Sequence, residues 1–233
     1  MADKKFDWYD MMTKQLAIFI NVSIEAPAQQ KLFDLGILPD LEELLKHCKT
    51  SDPLQREILE RIFNLMSKLL RHPQVAPVLA KQRHTVFKAI LYFNKEFEGD
   101  LQMNALRTLH PLCKAPGFRE ICFDEHKFPP STFDGYVKEA KRIFELSIAQ
   151  PGQEDWNLYV NACSSMVCFV DAFPERMSEF RDIIKPLITV VKDKTEVVRK
   201  NSAILLAKLA KDEGNEKVMR ANHGFDILLS LRG

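Results

Sequence analysis

One helical stretch recurs along this chain and limits what it can fold into. From Val198 to Leu209, VRKNSAILLAKL places Val198, Ser202, Leu205, Leu206 and Leu209 at i, i+4, i+7, i+8 and i+11, the spacing of a helix with one buried face. Leu101 to Cys113 (LQMNALRTLHPLC) and Leu158 to Val170 (LYVNACSSMVCFV) keep the same order: an apolar residue, an Asn three positions on, then a small residue. Ile58 to Leu70 and Met11 to Ser23 are looser copies, with Arg61 and Lys14 at the Asn position. The markers Lys14, Arg61, Asn104, Asn161 and Asn201 stand 47, 43, 57 and 40 residues apart. Self-similarity at such a period belongs to chains built of stacked helical units, each burying its apolar face against its neighbours. The pattern assigns Ile18, Phe19 and Val22 to the core in the first copy and Leu205, Leu206 and Leu209 in the last.

A tail follows the helix and recurs with it. After Asn21-Val22-Ser23 the chain reaches Gly36-Ile37-Leu38-Pro39-Asp40-Leu41-Glu42-Glu43-Leu44-Leu45; after Lys208-Leu209-Ala210 it reaches His223-Gly224-Phe225-Asp226-Ile227-Leu228-Leu229. In these residues the chain resembles the armadillo repeat family, whose units run through a short helix, a Gly, Ile-Pro-x-Leu-x-x-Leu-Leu and a long helix ending Asn-Leu-Ala. The resemblance implies an all-α fold: an armadillo/HEAT-like right-handed helical solenoid of about four to five repeats with half-repeats at both ends. It covers nearly the whole chain, so residues 1–233 are expected to form one domain, with an irregular repeat around 111–157. Such a pattern names a fold shared by proteins of many functions. The ending Asn-Ser-Ala-Ile-Leu-Leu-Ala-Lys-Leu-Ala to His-Gly-Phe-Asp-Ile-Leu also resembles the armadillo tails of dynein-arm assembly factors that start with tetratricopeptide repeats.

Composition agrees with a helical core: of 233 residues 46% are hydrophobic and only 8 are Gly, and alternating strand patterns are nearly absent. No early apolar segment follows Met-Ala-Asp-Lys-Lys, and no run approaches the roughly 18 apolar residues of a membrane span, so a cytoplasmic chain is expected. Cys48, Cys113, Cys122, Cys163 and Cys168, an odd number without paired spacing, suit reduced and mostly buried thiols.

Local signals set the boundaries. Phe6, Trp8 and Tyr9 are expected to fold over the open end of the first helix. Pro27 opens a short helix, Gly36 suits the left-handed turn after it, and Ser51-Asp52-Pro53 offers a cap and a helix-opening Pro before the long helix through Leu70. Pro111 is expected to stop or kink its helix around Leu109. Phe128-Pro129-Pro130-Ser131 breaks the chain before a helix from Gly135 to Ala149, and Phe180 to Val191 restores the regular pattern. The sequence opens on a long helix and ends on a middle one, so the expectation is either a small solenoid with improvised caps or, ahead of it, a segment of a longer protein.

Catalytic motifs are missing: no Gly-rich phosphate loop, G-x-S-x-G, H-E-x-x-H or C-x-x-C occurs, so neither catalytic residues nor a cofactor are assigned. His110-x2-Cys113 with Cys122-x3-His126 has zinc-type ligands, but Cys113 and Cys122 sit at core positions and both histidines flank turns, so no metal site is assigned. Lys192, Lys194, Arg199, Lys200, Lys208 and Lys211 form a local basic cluster, which keeps helical-repeat nucleic-acid binding as an alternative. The formal net charge of +1 lacks the basic balance that phosphate binding requires.

The remaining reading is a non-catalytic scaffold, an adaptor, chaperone-type or assembly factor, that binds a segment of another protein in a concave groove. The resemblance puts the family's groove Asn at Asn21, Lys68, Pro111, Cys168 and Lys208, with Ala17, Asn64, Arg107, Ser164 and Ile204 one turn before. Only Asn21 keeps the family residue, so the backbone-binding ladder of nuclear-import members does not carry over. With Arg61, Asn104, Asn161, Lys200 and Asn201 the candidate groove is polar and basic, which suits an acidic or acidic-hydrophobic segment.

Overall fold

The computed structural model describes residues 2–94, 100–122, 131–149, 152, 155–193 and 195–230. Among them every regular element is helical, and no helix is long and apolar enough to cross a membrane. The chain divides into two compact units, residues 1–132 and 133–233.

The first unit contains α1 (Ala2–Val22), α2 (Ala26–Asp34), α3 (Ile37–His47), α4 (Pro53–Leu69), α5 (Val75–Leu79), α6 (Arg83–Asn94), α7 (Asp100–Leu112) and α8 (Phe118–Cys122). The three long helices lie side by side, α1 on α4 and α4 on α7, while α3 packs on α6 and α6 on α7. Local chemistry sets the ends. Asp52 accepts the Leu54 N–H as N-cap with Pro53 opening α4, and Gly36 takes φ 76° between α2 and α3. The core is aliphatic and aromatic: Leu41, Leu45, Ile58, Leu59, Ile62, Phe63, Met66, Val86, Phe93, Leu101 and Leu109 are all buried.

The second unit contains α9 (Ser131–Ile148), α10 (Trp156–Ala172), a 3-10 helix over Pro174–Ile183, α11 (Ile184–Asp193), α12 (Glu196–Leu209), α13 (Glu213–Ala221) and α14 (Gly224–Ser230). Here α12 packs on α10 and α11, and α14 on α11 and α13. Tyr136 of α9 stacks on Phe169 at 5.0 Å and donates its hydroxyl to the Ser165 carbonyl at 3.0 Å. Asp155 and Asp212 cap α10 and α13. A Cβ at Gly214 would meet the Arg181 guanidinium at 2.1 Å, so a larger residue there displaces that half-exposed side chain from Asp212 and Asn215.

Polar contacts between helices recur at the repeat distance. In the first unit Thr108 Oγ1 donates to the Phe63 carbonyl 45 residues away. Glu42 accepts from His84 and Thr85, 42 and 43 residues on. In the second unit the Tyr159 hydroxyl meets Ser202 Oγ at 2.6 Å across 43 residues, and Arg176 pairs with Asp134 across 42.

Several expectations are corrected. Phe6, Trp8 and Tyr9 belong to α1 itself; Tyr9 is buried and accepts a bond from Gln55, whereas Trp8 is exposed. Ile18 and Val22 are 60% and 43% exposed, because α1 buries Leu16 and Ser23 and no described helix covers its other face. Pro111 does not stop its helix at Leu109. It lies in the last turn of α7, and the Cys113 N–H still reaches the Leu109 carbonyl at 2.9 Å. The helix expected from Phe180 begins at Ile184; the 3-10 segment before it leaves helical geometry at Phe180, whose ring is buried near Phe169. Phe128–Pro130, Lys194 and Leu231 lie outside the described residues.

Candidate functional site

The ridge of long helices in the first unit brings four of the expected groove residues together. Asn21 from the end of α1, Arg61 and Asn64 from α4, and Asn104 from α7 surround one open hollow of about 580 Å³ with Glu57, Glu60 and Asp100. Their offsets explain the meeting: Asn21, Asn64 and Asn104 lie seven, three and zero residues beyond their markers, so three side-by-side helices present them on a diagonal.

These side chains are not equally available. Arg61 binds Glu57 through Nε at 3.2 Å and Nη2 at 2.8 Å. Asn104 is buried rather than groove-facing: it donates to the Glu60 carbonyl at 3.5 Å and accepts from Arg107 Nη1 at 3.1 Å. Asn21 is exposed and Asn64 half-buried. Arg56 also pairs with Glu60 at 3.4 Å, so three carboxylates meet two guanidiniums and this part of the ridge stays acidic by one charge. One helical turn farther along, Lys68 of α4 is half-buried and Arg107 of α7 exposed, so the sign of charge reverses along the ridge. Sequence reasoning missed the acidic wall, although the i, i+4 pair Glu57–Arg61 is legible.

In the second unit Asn161 and Ser164 are half-buried on α10, Lys200 is exposed and Asn201 half-buried on α12. Asn201 donates to its own helix at the Val197 carbonyl, and Lys208 is held by Asp171 of α10. Cys168, at a groove position of the family pattern, is fully buried because α10 is covered on nearly all sides.

No disulfide joins any of the five cysteines. Cys122 and Cys163 are buried and Cys113 half-buried, His126 lies outside the described residues, and no metal-holding cluster occurs among those described. Burial pushes the Cys163 thiol up to about 12, against Tyr159, and raises Cys122 and Cys48 as well, so these sulfurs stay protonated near neutral pH. A folded value above the ordinary 9.0 means that Cys163 contributes stability that is complete below pH 9 and is lost as pH rises toward 12. By pH 10 the loss from Cys163 is about 1.4 kcal/mol. Urea midpoints at pH 8 and pH 10 will show it, and Cys163→Ala will flatten that part of the slope; parallel curves for the two proteins would disprove it.

No family model matches this chain, and a search of curated proteins finds no match.

Proposed function

We propose that this protein is a non-catalytic protein–protein interaction scaffold, an adaptor, chaperone-type or assembly factor, whose units are stretches of armadillo-like solenoid. Supporting the repeat reading are the side-by-side long helices and the polar contacts spaced 42 to 45 residues apart. The observation that carries the function is the hollow on α1, α4 and α7, where the Asn21 and Asn64 carboxamides of α1 and α4 line one open channel. Carboxamides pair with both N–H and C=O, so these two suit the backbone of an extended peptide. Lys68 and Arg107 then take carboxylates of an acidic or acidic-hydrophobic segment, while Glu57, Glu60 and Asp100 fix its direction by accepting a cationic group at the other end. Five cysteines outside any disulfide suit a cytoplasmic site of action.

The experiment measures binding of labelled acidic-hydrophobic, basic and neutral short peptides by fluorescence anisotropy, with Lys68 and Arg107 both changed to Glu. Lys208 stays unchanged because Asp171 occupies it. The acidic-hydrophobic peptides should bind, and the double reversal should weaken them at least about 10-fold while leaving the thermal midpoint in place. Preference for basic peptides, undiminished by the reversal, would overturn the acidic-segment reading, and no peptide binding at all would overturn the groove.

A further inference from the structure

One face of α1 in the first unit matches one face of the α12–α14 pair in the second. On α1, Met11 is 48% exposed, Ile18 60% and Val22 43%, an apolar stripe at helical spacing. On the second unit, a hollow of about 770 Å³ opens between α12 and α14 over Ala203, Ile204, Ala207, Phe225, Leu228 and Leu229. Ile204 and Leu229 are 40% and 63% exposed. Neither face contains Lys68 or Arg107.

The repeat shows what each face receives. Lys14 of α1 and Asn201 of α12 are equivalent markers 187 residues apart. That shift sets Met11, Ile18, Phe19 and Val22 on Val198, Leu205, Leu206 and Leu209, which α12 buries. The exposed stripe of α1 is therefore the face by which a long helix seats on a preceding layer, as α12 seats on α10 and α11. The same shift sets Thr13, Ala17 and Ile20 on Lys200, Ile204 and Ala207. In α1 those residues share hollows with Glu57 and Arg61 of the next long helix, α4. Their counterparts on α12 line the open hollow, so that hollow is the place where a long helix seats, with α14 beside it as α11 lies beside α12.

Charge fits the same seating. The rim of the hollow carries Arg199 and Lys200 against the single carboxylate of Glu196. Asp10 of α1 is equivalent to Glu57 of α4, which lines a hollow with Thr13, the equivalent of Lys200. A seated α1 would thus bring Asp10 to Lys200. Asp10 keeps Lys14 at 2.7 Å as Glu57 keeps Arg61 at 2.8 Å, so the incoming helix has the polar edge that α4 has.

We propose that copies of this chain associate head to tail, the apolar stripe of α1 in one copy filling the α12–α14 hollow of the next. The contact is heterologous: each copy offers one stripe and one hollow, so repeating it builds a closed or an open assembly of copies. Burying apolar area drives it, and the Asp10–Lys200 pair sets its register.

Sedimentation velocity over a concentration series of the full chain tests this with two variants, Ile18→Asp with Val22→Asp, and Ile204→Asp with Leu229→Asp. All four residues are exposed, so circular dichroism and thermal midpoints should stay near those of the unaltered protein. The unaltered chain should gain mass as concentration rises, and each variant alone should associate at least about 10-fold more weakly. Mixed in equal amounts, the variants should form a complex that stops at one copy of each, because one keeps its hollow and the other its stripe. A chain that stays monomeric throughout, or association abolished by one variant and untouched by the other, would overturn the proposal. Peptide binding at Lys68 and Arg107 should survive in both variants, so loss of self-association and loss of the groove function are read separately.

Discussion

Replacing Phe63 by alanine will lower the stability of the first unit by about 3–5 kcal/mol, the usual result of emptying an aromatic site that neighbours cannot refill. Phe63 is fully buried in α4, the middle member of the α1–α4–α7 row. Its carbonyl also accepts the Thr108 hydroxyl at 3.2 Å, which ties that turn of α4 to α7 and limits how far the site can collapse. Phe63→Leu keeps most of the volume and should cost about 1–2 kcal/mol. Leu229→Ala, at a position 63% exposed, should change stability by less than about 0.5 kcal/mol. Urea unfolding followed by circular dichroism separates the three. A loss below about 1 kcal/mol for Phe63→Ala would show that α1 and α7 close over the cavity.

The part of this architecture legible in the sequence is the part written in local spacing. Apolar residues three and four apart located α4, α7, α10 and α12, and Asp52-Pro53 and Gly36 set helix ends through a side chain or a φ value that depends on immediate neighbours. What the pattern could not give was which neighbour covers a face. Ile18 and Val22 occupy the same register as Leu205 and Leu209, yet the former are exposed and the latter buried. Periodicity reports the face a helix offers, while burial depends on whether another layer lies against it. Pro111 teaches a related lesson: a proline breaks a helix interior, but in the last turn of α7 it removes only the one bond to the Arg107 carbonyl, and the Cys113 N–H still closes the helix on Leu109.

The candidate site was legible by residue type and less so by environment. Spacing brought Asn21, Arg61, Asn64 and Asn104 to one ridge, and the structure surrounds them with a single hollow. It could not foresee that the Asn104 carboxamide is spent on the Glu60 carbonyl, or that Lys208 is spent on Asp171, because these two contacts join different helices. Nor does the marker pattern show that Glu57, Glu60 and Asp100 turn part of the ridge acidic.

Replacing Glu42 by alanine should cost about 3 kcal/mol, unusual for a half-buried residue on a helix surface. The first N–H groups of α6 have no carbonyl of their own helix to bond, and Glu42 of α3 supplies the acceptors: His84 N lies at 2.7 Å and Thr85 N at 2.8 Å, and the Thr85 hydroxyl donates to the same carboxylate. Thr85 is fully buried, so water cannot readily replace what is lost. The bond runs both ways along the pair, since Lys88 of α6 donates to the Leu45 and Cys48 carbonyls at the end of α3. Glu42→Gln retains an acceptor but gives up the negative charge at a helix N-terminus, for which about 1 kcal/mol is expected. Because α6 packs on α7, which carries Asn104 and Arg107, Glu42→Ala should also weaken peptide binding on the ridge, although Glu42 does not line the hollow. Chemical denaturation and peptide anisotropy on the two variants check both outcomes. Equal stabilities for alanine and glutamine, or a cost under about 0.5 kcal/mol for alanine, would show that α3 and α6 are held by apolar packing alone.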